Sequence, residues 1–257
     1  MRVQPVLCLR DNFAYILICE ETGQAAVVDP SESGPVLAEL ERLKAPLVAI
    51  FNTHHHYDHV DGNLGLLAHF PGTRIYAHAS DKGRVPGQTH FLEEGDTPGF
   101  GNIKGSLTHN PGHTTGAVTY YFGEHAFTGD TLFAAGCGRI FEGTAEDMYV
   151  SLNQKIGGHD PNTRLWFGHE YTVNNLRFAL EVEPDNVHVQ KRLSQAMALR
   201  EQGLFTTPST LAEEWLTNPF MRCDSETLKG AAKKYDPKCD LSPISVLRAI
   251  RKMKDAF

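Results

Sequence analysis

The apolar run LVAIF at residues 47–51 ends directly in NTHHHYDHVDG, which puts His54, His55, His56, Asp58 and His59 within six positions. A short run rich in β-branched and aromatic residues reads as a strand, so this polar cluster sits at a strand end. Alone, it is either solvated polarity or part of a site. Three more polar islands occupy comparable places: NPGHTTG carries His113, AFTGDTLF carries Asp130, and LWFGHEYT carries His169. A lone histidine or aspartate at a strand end is more often hydrogen-bonded than ligating. Four such islands, each supplying a ligand type, point together to one metal centre.

The arrangement of the runs gives the fold class. YILIC (15–19), AAVVD (25–29), LVAIF (47–51), RIYAH (74–78), AVTYYF (117–122) and RLWFG (164–168) read as strands. Helical patterns lie between them. SGPVLAELERLK puts Val36, Leu40 and Leu43 on one face, with Pro35 suited to a first turn. DGNLGLLAHF and TAEDMYVSLNQKIGG behave similarly, the latter stopping at Gly157 and Gly158. After about Thr172 the texture is helical, with no convincing strand, and Thr210 with Glu213 fits a capping box. We therefore expect an α/β layered domain over residues 1–172 and a helical domain over residues 173–257.

Bulk properties narrow the function classes. A net charge of −7 argues against a general nucleic-acid binder. The acidity is uneven, because the segment 229–254 is strongly basic and opposed only by Asp236 and Asp240. Such a stretch is either a solvated lysine-rich face or a site for a small anion. Five cysteines, odd in number and without a CxxC pair, suggest a reducing compartment. No secretory h-region and no membrane-length apolar run is apparent, so a cytoplasmic location and no membrane partner are expected.

The residue types explain the chemistry. Imidazole and carboxylate bind divalent first-row metals, and seven such groups exceed the needs of one tetrahedral ion. Asp130 can give one oxygen to each of two ions and is the candidate bridge. His54 and His56, two apart, can point the same way from an extended segment and serve one ion; His55 then points away. Asp58 and His59 can serve the other. A water held by such a pair has its pKa lowered to about 7, which is a hydrolytic design.

The order T-H-x-H-x-D-H, PGHT, TGD and GHE resembles the metallo-β-lactamase superfamily. FTGDTLFAAGCGRIFEGTAEDMY, GHEYT and PSTLAEEWLTNPFMR are similar, within it, to the glyoxalase II (hydroxyacylglutathione hydrolase) family. The resemblance spans nearly the whole chain. It implies an αββα metallo-β-lactamase sandwich with a C-terminal helical domain that helps hold glutathione. It implies hydrolysis of S-(2-hydroxyacyl)glutathione, S-(D-lactoyl)glutathione especially, to D-lactate and glutathione. It also implies one site of His54, His56 and His113, a second of Asp58, His59 and His169, and Asp130 bridging. The ions are two divalent metals, with zinc expected first and iron or manganese also suited. Glutathione contacts carry over to Arg139, Tyr171, Arg251 and Lys254. Phe141 stands where some members have tyrosine, and Thr115 departs from many superfamily members. Asp58 is assigned a further catalytic role, orienting or deprotonating the water. The substrate is a small glutathione thioester, and a monomer is the default.

Other readings stand beside this one. Cys137 as a nucleophile lacks an adjacent histidine. Asp29 and His78, each following a strand-like run, are either supports of the metal site or local turn, cap and satisfied polar groups. Trp166 and Trp215 read as core. A persulfide dioxygenase with one iron would normally lack the helical appendage and basic final helix, a nuclease would want a broad basic surface, and an exported β-lactamase a leader. Structural zinc would normally use four ligands, often with cysteine.

Overall fold

A computed structural model describes residues 1–257. The chain divides into two compact units, residues 1–109 with 116–129, and residues 110–115 with 130–257. Each is described by itself.

The first unit is built on a six-stranded sheet in consecutive order: β1 (Arg2–Cys8), β2 (Asn12–Ile18), β3 (Ala25–Val28), β4 (Leu47–Phe51), β5 (Arg74–His78) and β6 (His90–Leu92). The β1–β2 and β2–β3 pairs are antiparallel, whereas β3 to β6 run parallel. Pro5 cannot donate to a ladder, and β1, which carries it, is an edge strand as that requires. Every residue of β2 and β3 is buried, as expected of strands covered on both faces.

Period-two alternation decides which residues face which layer. Ala14, Ile16 and Ile18 of β2 join Val27, Ile50 and Ile75 in a core with Val36 and Leu40 of the helix Ser33–Leu43 and Leu66 of the helix Asn63–His69. The opposite face is aromatic. Phe51 packs 5.0 Å from Tyr76, 5.3 Å from Tyr120 and 5.1 Å from Phe122, while Tyr15 meets Phe127 at 5.6 Å. Tyr120 and Phe122 lie on the strand Val118–Phe122, which pairs antiparallel with Ser106–His109 and His125–Gly129. Helices, sheet and second sheet thus form successive layers. Burying Phe51 completely contributes about 1.5–3 kcal/mol.

The second unit holds a hairpin of Leu132–Phe133 with Gly136–Cys137, and the helix Ala145–Tyr149. That helix continues through a wider-wound turn, Val150–Lys155, and stops at Gly158. The strand Arg164–Phe167 pairs with Ser209–Thr210. Five helices follow residue 171: Thr172–Val182, Val187–Glu201, Leu211–Thr217, Glu226–Tyr235 and Pro243–Ala256. Thr210 and Glu213 close the expected capping box. One expectation is corrected here: a strand does occur after Thr172, too short at Ser209–Thr210 to carry a pattern. The helix Glu226–Tyr235 falls within the expected helical part and buries only Leu228 and Ala232. No helix is long and apolar enough to cross a membrane.

Candidate metal centre

The histidine-rich loop leaves β4 at Phe51 and is stapled by Asn52. The Asn52 amide donates to the carbonyl of His59 at 2.9 Å and accepts from Asn63 at 2.9 Å. His54 and His56 turn the same way, with Nε2 of the first 3.1 Å from Nδ1 of the second. His55 turns to Asp81. His59 stands beside His54, ring centroids 4.2 Å apart, and its Nε2 lies 3.9 Å from Asp58 Oδ2.

Hydrogen bonds on the far side of these rings fix their tautomers. Asp29 is buried behind the loop and accepts from the Thr53 N–H at 2.7 Å and the Thr53 hydroxyl at 2.6 Å. Because that hydroxyl donates to Asp29, it must accept from His54 Nδ1–H, 3.0 Å away. His59 Nδ1–H donates to Asp29 at 3.0 Å. Both rings are therefore left with an unprotonated Nε2, the form a metal takes. The Asp29 backbone sits at φ +48, a left-handed conformation that aspartate tolerates better than most residues. Asp29 is thus a support of the site rather than a local cap. His78, by contrast, is satisfied by Ser80 at 2.7 Å and stacks on His109. Burial, with the neighbouring His109 adding to it, holds its pKa below the usual histidine value.

Asn12 at the start of β2 donates to the backbone oxygen of Asp58 at 2.9 Å and to its Oδ2 at 3.0 Å. This fixes the direction of the Asp58 carboxylate. Nothing in the sequence singled out Asn12, because its partner is far along the chain.

The second unit gathers the other three residues. Asp130 follows the strand His125–Gly129, His169 follows Arg164–Phe167, and His113 lies in the loop 110–117. Asp130 Oδ2 is 3.6 Å from His113 Nε2 and 3.3 Å from His169 Nε2. His113 Nδ1–H donates to the Arg139 carbonyl at 2.8 Å, so its Nε2 too is a lone pair. His169 stacks on Tyr171, centroids 4.7 Å apart and 7° from parallel. Residue 138 has to be glycine, since a Cβ there would lie 2.1 Å from the Asp130 carbonyl oxygen and 2.8 Å from His113 Nδ1. Thr115 ties this loop to Glu142 through its N–H at 2.8 Å and its hydroxyl at 2.9 Å. Imidazoles with fixed lone pairs beside hard carboxylates are a donor set suited to divalent first-row metals.

The remaining site residues lie in the same unit. Arg139 is exposed and pairs with Asp255 at 3.4 Å. Arg251 is buried, donates to the Cys137 carbonyl at 2.7 Å and pairs with Asp255 at 3.2 Å. Arg139 and Arg251, with Arg248 and Lys252, line a cavity of about 450 Å³. Lys254 reaches the Asn174 carbonyl at 3.4 Å and lies over Phe178 and Phe257. Its burial, with Arg251 nearby, lowers its pKa to about 8. Phe141 is exposed, its ring 5.3 Å from His113. Cys137 is buried, which pushes its thiol up to about 11, so it is no thiolate nucleophile. Trp166 is core as expected; Trp215 is 39% exposed and is not.

Two family models match the chain, one described as the metallo-beta-lactamase superfamily over residues 10–177, the other as the hydroxyacylglutathione hydrolase C-terminus over residues 170–257. A curated relative named hydroxyacylglutathione hydrolase, from Synechococcus sp. (strain JA-3-3Ab), is 50% identical over 259 residues, covering 100% of both proteins. Among solved structures, ETHE1 from Myxococcus xanthus matches with a TM-score of 0.69 at 21% identity, over 100% of this chain and 99% of that one, a likeness of fold alone. TTHA1623 in a di-iron-bound form matches with a TM-score of 0.61 at 25% identity, over 85% of this chain and 100% of that one. The fold is therefore the metallo-β-lactamase fold followed by a helical C-terminal domain, as expected. With agreement running from end to end, the chain belongs to the hydroxyacylglutathione hydrolase family of the metallo-β-lactamase superfamily.

Proposed function

We propose that this chain hydrolyses the thioester of S-(2-hydroxyacyl)glutathione, S-(D-lactoyl)glutathione above all, to the hydroxy acid and glutathione. His54, His56 and His113 would hold one divalent ion and Asp58, His59 and His169 a second, with Asp130 serving both. Zinc, iron and manganese all suit this set, and the di-iron form of TTHA1623 is a precedent for iron. The donor set carries the proposal: His54, His59 and His113 each spend Nδ1–H on a fixed acceptor and keep Nε2 as a lone pair.

Two ions bound there would bring the pKa of a water between them to about 7 and polarise the carbonyl under attack. The chain's own residues do the rest. Asp58, aimed by Asn12, orients the attacking water. The leaving thiol has a pKa of about 8.5 and departs without a general acid. No side-chain nucleophile is needed, in keeping with the raised Cys137 thiol. Arg139, Tyr171, Arg251 and Lys254 receive glutathione, whose two carboxylates suit cationic partners. The helical part, residues 173–257, supplies two of these four. We further place the protein in the cytoplasm as a monomer.

Protein stripped of metal and reloaded with each ion in turn is expected to bind close to two ions per chain and to release thiol from S-(D-lactoyl)glutathione. A protein holding two ions that leaves this thioester intact would overturn the proposal.

Lys254 gives a second test. It is cationic below about pH 8 and neutral above, so its attraction for a substrate carboxylate is present at pH 7 and fades as pH rises through 8. KM is expected to climb across that range with kcat unchanged, and Lys254→Met to flatten the climb. A wild-type KM flat from pH 7 to 9 removes Lys254 from the glutathione contacts.

A further inference from the structure

We propose that His55, Asp81 and Arg84 form a positioning triad that sets the metal affinity of the His54/His56 site. The three residues come from two stretches of the first unit: the histidine loop, and the turn after β5 that carries both Asp81 and Arg84. His55 Nδ1 is 3.1 Å from Asp81 Oδ1. An Arg84 Nη2–H donates to His55 Nε2, and Arg84 Nη1 stands 3.6 Å from the same Asp81 oxygen. A guanidinium can only donate, so His55 Nε2 is the acceptor and Nδ1 carries the proton given to Asp81. The ring is held at both nitrogens in one tautomer and one rotation.

Both of its own nitrogens being spent, His55 is no ligand here. What it fixes is the backbone between the two histidines that are. The His55 ring lies beside both of theirs, its centroid 6.5 Å from that of His54 and 5.0 Å from that of His56, so clamping it holds the two ligand rings from the side. His54 Nε2 and His56 Nδ1 approach to 3.1 Å. Displacing the clamp rotates both together.

Asp81 is an unusual anchor if only stability is at issue. Its side chain is 1% exposed, and Oδ2 has no hydrogen-bond partner. A buried carboxylate with an unmet oxygen opposes folding, and an apolar contact of similar volume would hold the loop as well. Gly116 accommodates the group closely. A Cβ there would lie 2.5 Å from Asp81 Cγ and from both carboxylate oxygens. The carboxylate therefore lies against bare backbone that admits no side chain. Such a costly, directional contact is accounted for by the orientation it imposes.

The triad rests on the proposal that His54 and His56 hold an ion, so its test reads metal affinity as well as turnover. Zinc dissociation constants are measured by competition with a chromophoric chelator for wild type, His55→Ala, Asp81→Asn and His55→Asn, alongside the melting temperature of each metal-free protein. His55→Ala and Asp81→Asn are expected to weaken zinc binding by about 10- to 100-fold, the usual effect of losing a partner behind the ligands. His55→Asn is expected to recover most of the loss, because its amide nitrogen takes the place of Nδ1 and donates to Asp81. With zinc saturating, KM stays unchanged. Variants that melt lower yet bind zinc as tightly as wild type would show a merely structural contact and overturn the triad. So would a His55→Asn protein no better than His55→Ala. Wild-type protein that binds no zinc, iron or manganese would instead overturn the proposed centre, and the triad with it.

Discussion

Asp130→Ala is expected to lower kcat/KM by about 10³-fold and to bring the bound metal below two ions per chain. One oxygen of Asp130 faces the Nε2 atoms of both His113 and His169, at 3.6 Å and 3.3 Å. A bridging carboxylate is a ligand to both ions, so its removal strikes twice. Losing even a partner behind a ligand costs about 10- to 100-fold in affinity or activity, and two such losses multiply to about 10²–10⁴. Asp130→Asn keeps the volume and one acceptor oxygen but loses the charge, and falls between. Metal content by elemental analysis and thiol release from the thioester check both variants. An Asp130→Ala protein that retains two ions and most of its turnover would remove Asp130 from the bridging position.

The seven proposed ligands were legible because they fall in four short polar islands, each beside an apolar, strand-like stretch. The pairing of His54 with His56 was legible from period two, but His55 does not point clear of them: its ring stays 5.0 Å from that of His56 while its Nδ1 turns to Asp81. What lies behind the ligands was not legible. Asn12 reaches Asp58 across 46 positions, and Asp81 reaches His55 across 26. A contact of that span leaves no local periodicity, so no window of sequence announces it. Asp29 was ambiguous between a cap and a support, because both use an acceptor at a strand end; only its three donors decide. Arg251 shows the opposite difficulty. Its charge was legible within a basic helix, but a helical residue's burial depends on what packs there, and Arg251 spends Nη1 on the Cys137 carbonyl.

Glu214→Ala is expected to destabilise the protein by about 3–5 kcal/mol, the cost of stranding one member of a buried ion pair, and to lower its melting temperature by about 10 °C. Glu214 is fully buried and accepts from four groups. These are the Ala135 N–H at 2.7 Å, Arg192 at 2.7 Å, Asn218 at 2.9 Å, and the Ser209 hydroxyl. Arg192, its side chain 12% exposed, would lose its charge partner. Glu214→Gln keeps an acceptor but turns an amide N–H toward groups that donate, and is expected to lose about 1–3 kcal/mol. The position of Glu214 makes the effect more than global. Ala135 has φ +52, a strained conformation for a residue with a Cβ, and the hairpin 132–137 that contains it begins two residues after Asp130. Glu214 holds its N–H, Asn218 holds the carbonyls of Phe133 and Gly136 at 3.2 and 3.0 Å, and Asn175 holds that of Ala134 at 3.1 Å. Two residues of TLAEEWLTNPF thus keep the turn beside Asp130, the proposed bridging ligand, in a shape it would not adopt unaided. Amide exchange at residues 133–137 is therefore expected to rise in Glu214→Gln beyond what its global loss of stability explains. Exchange that rises equally throughout the second unit would reduce Glu214 to a stabilising contact with no particular hold on that turn.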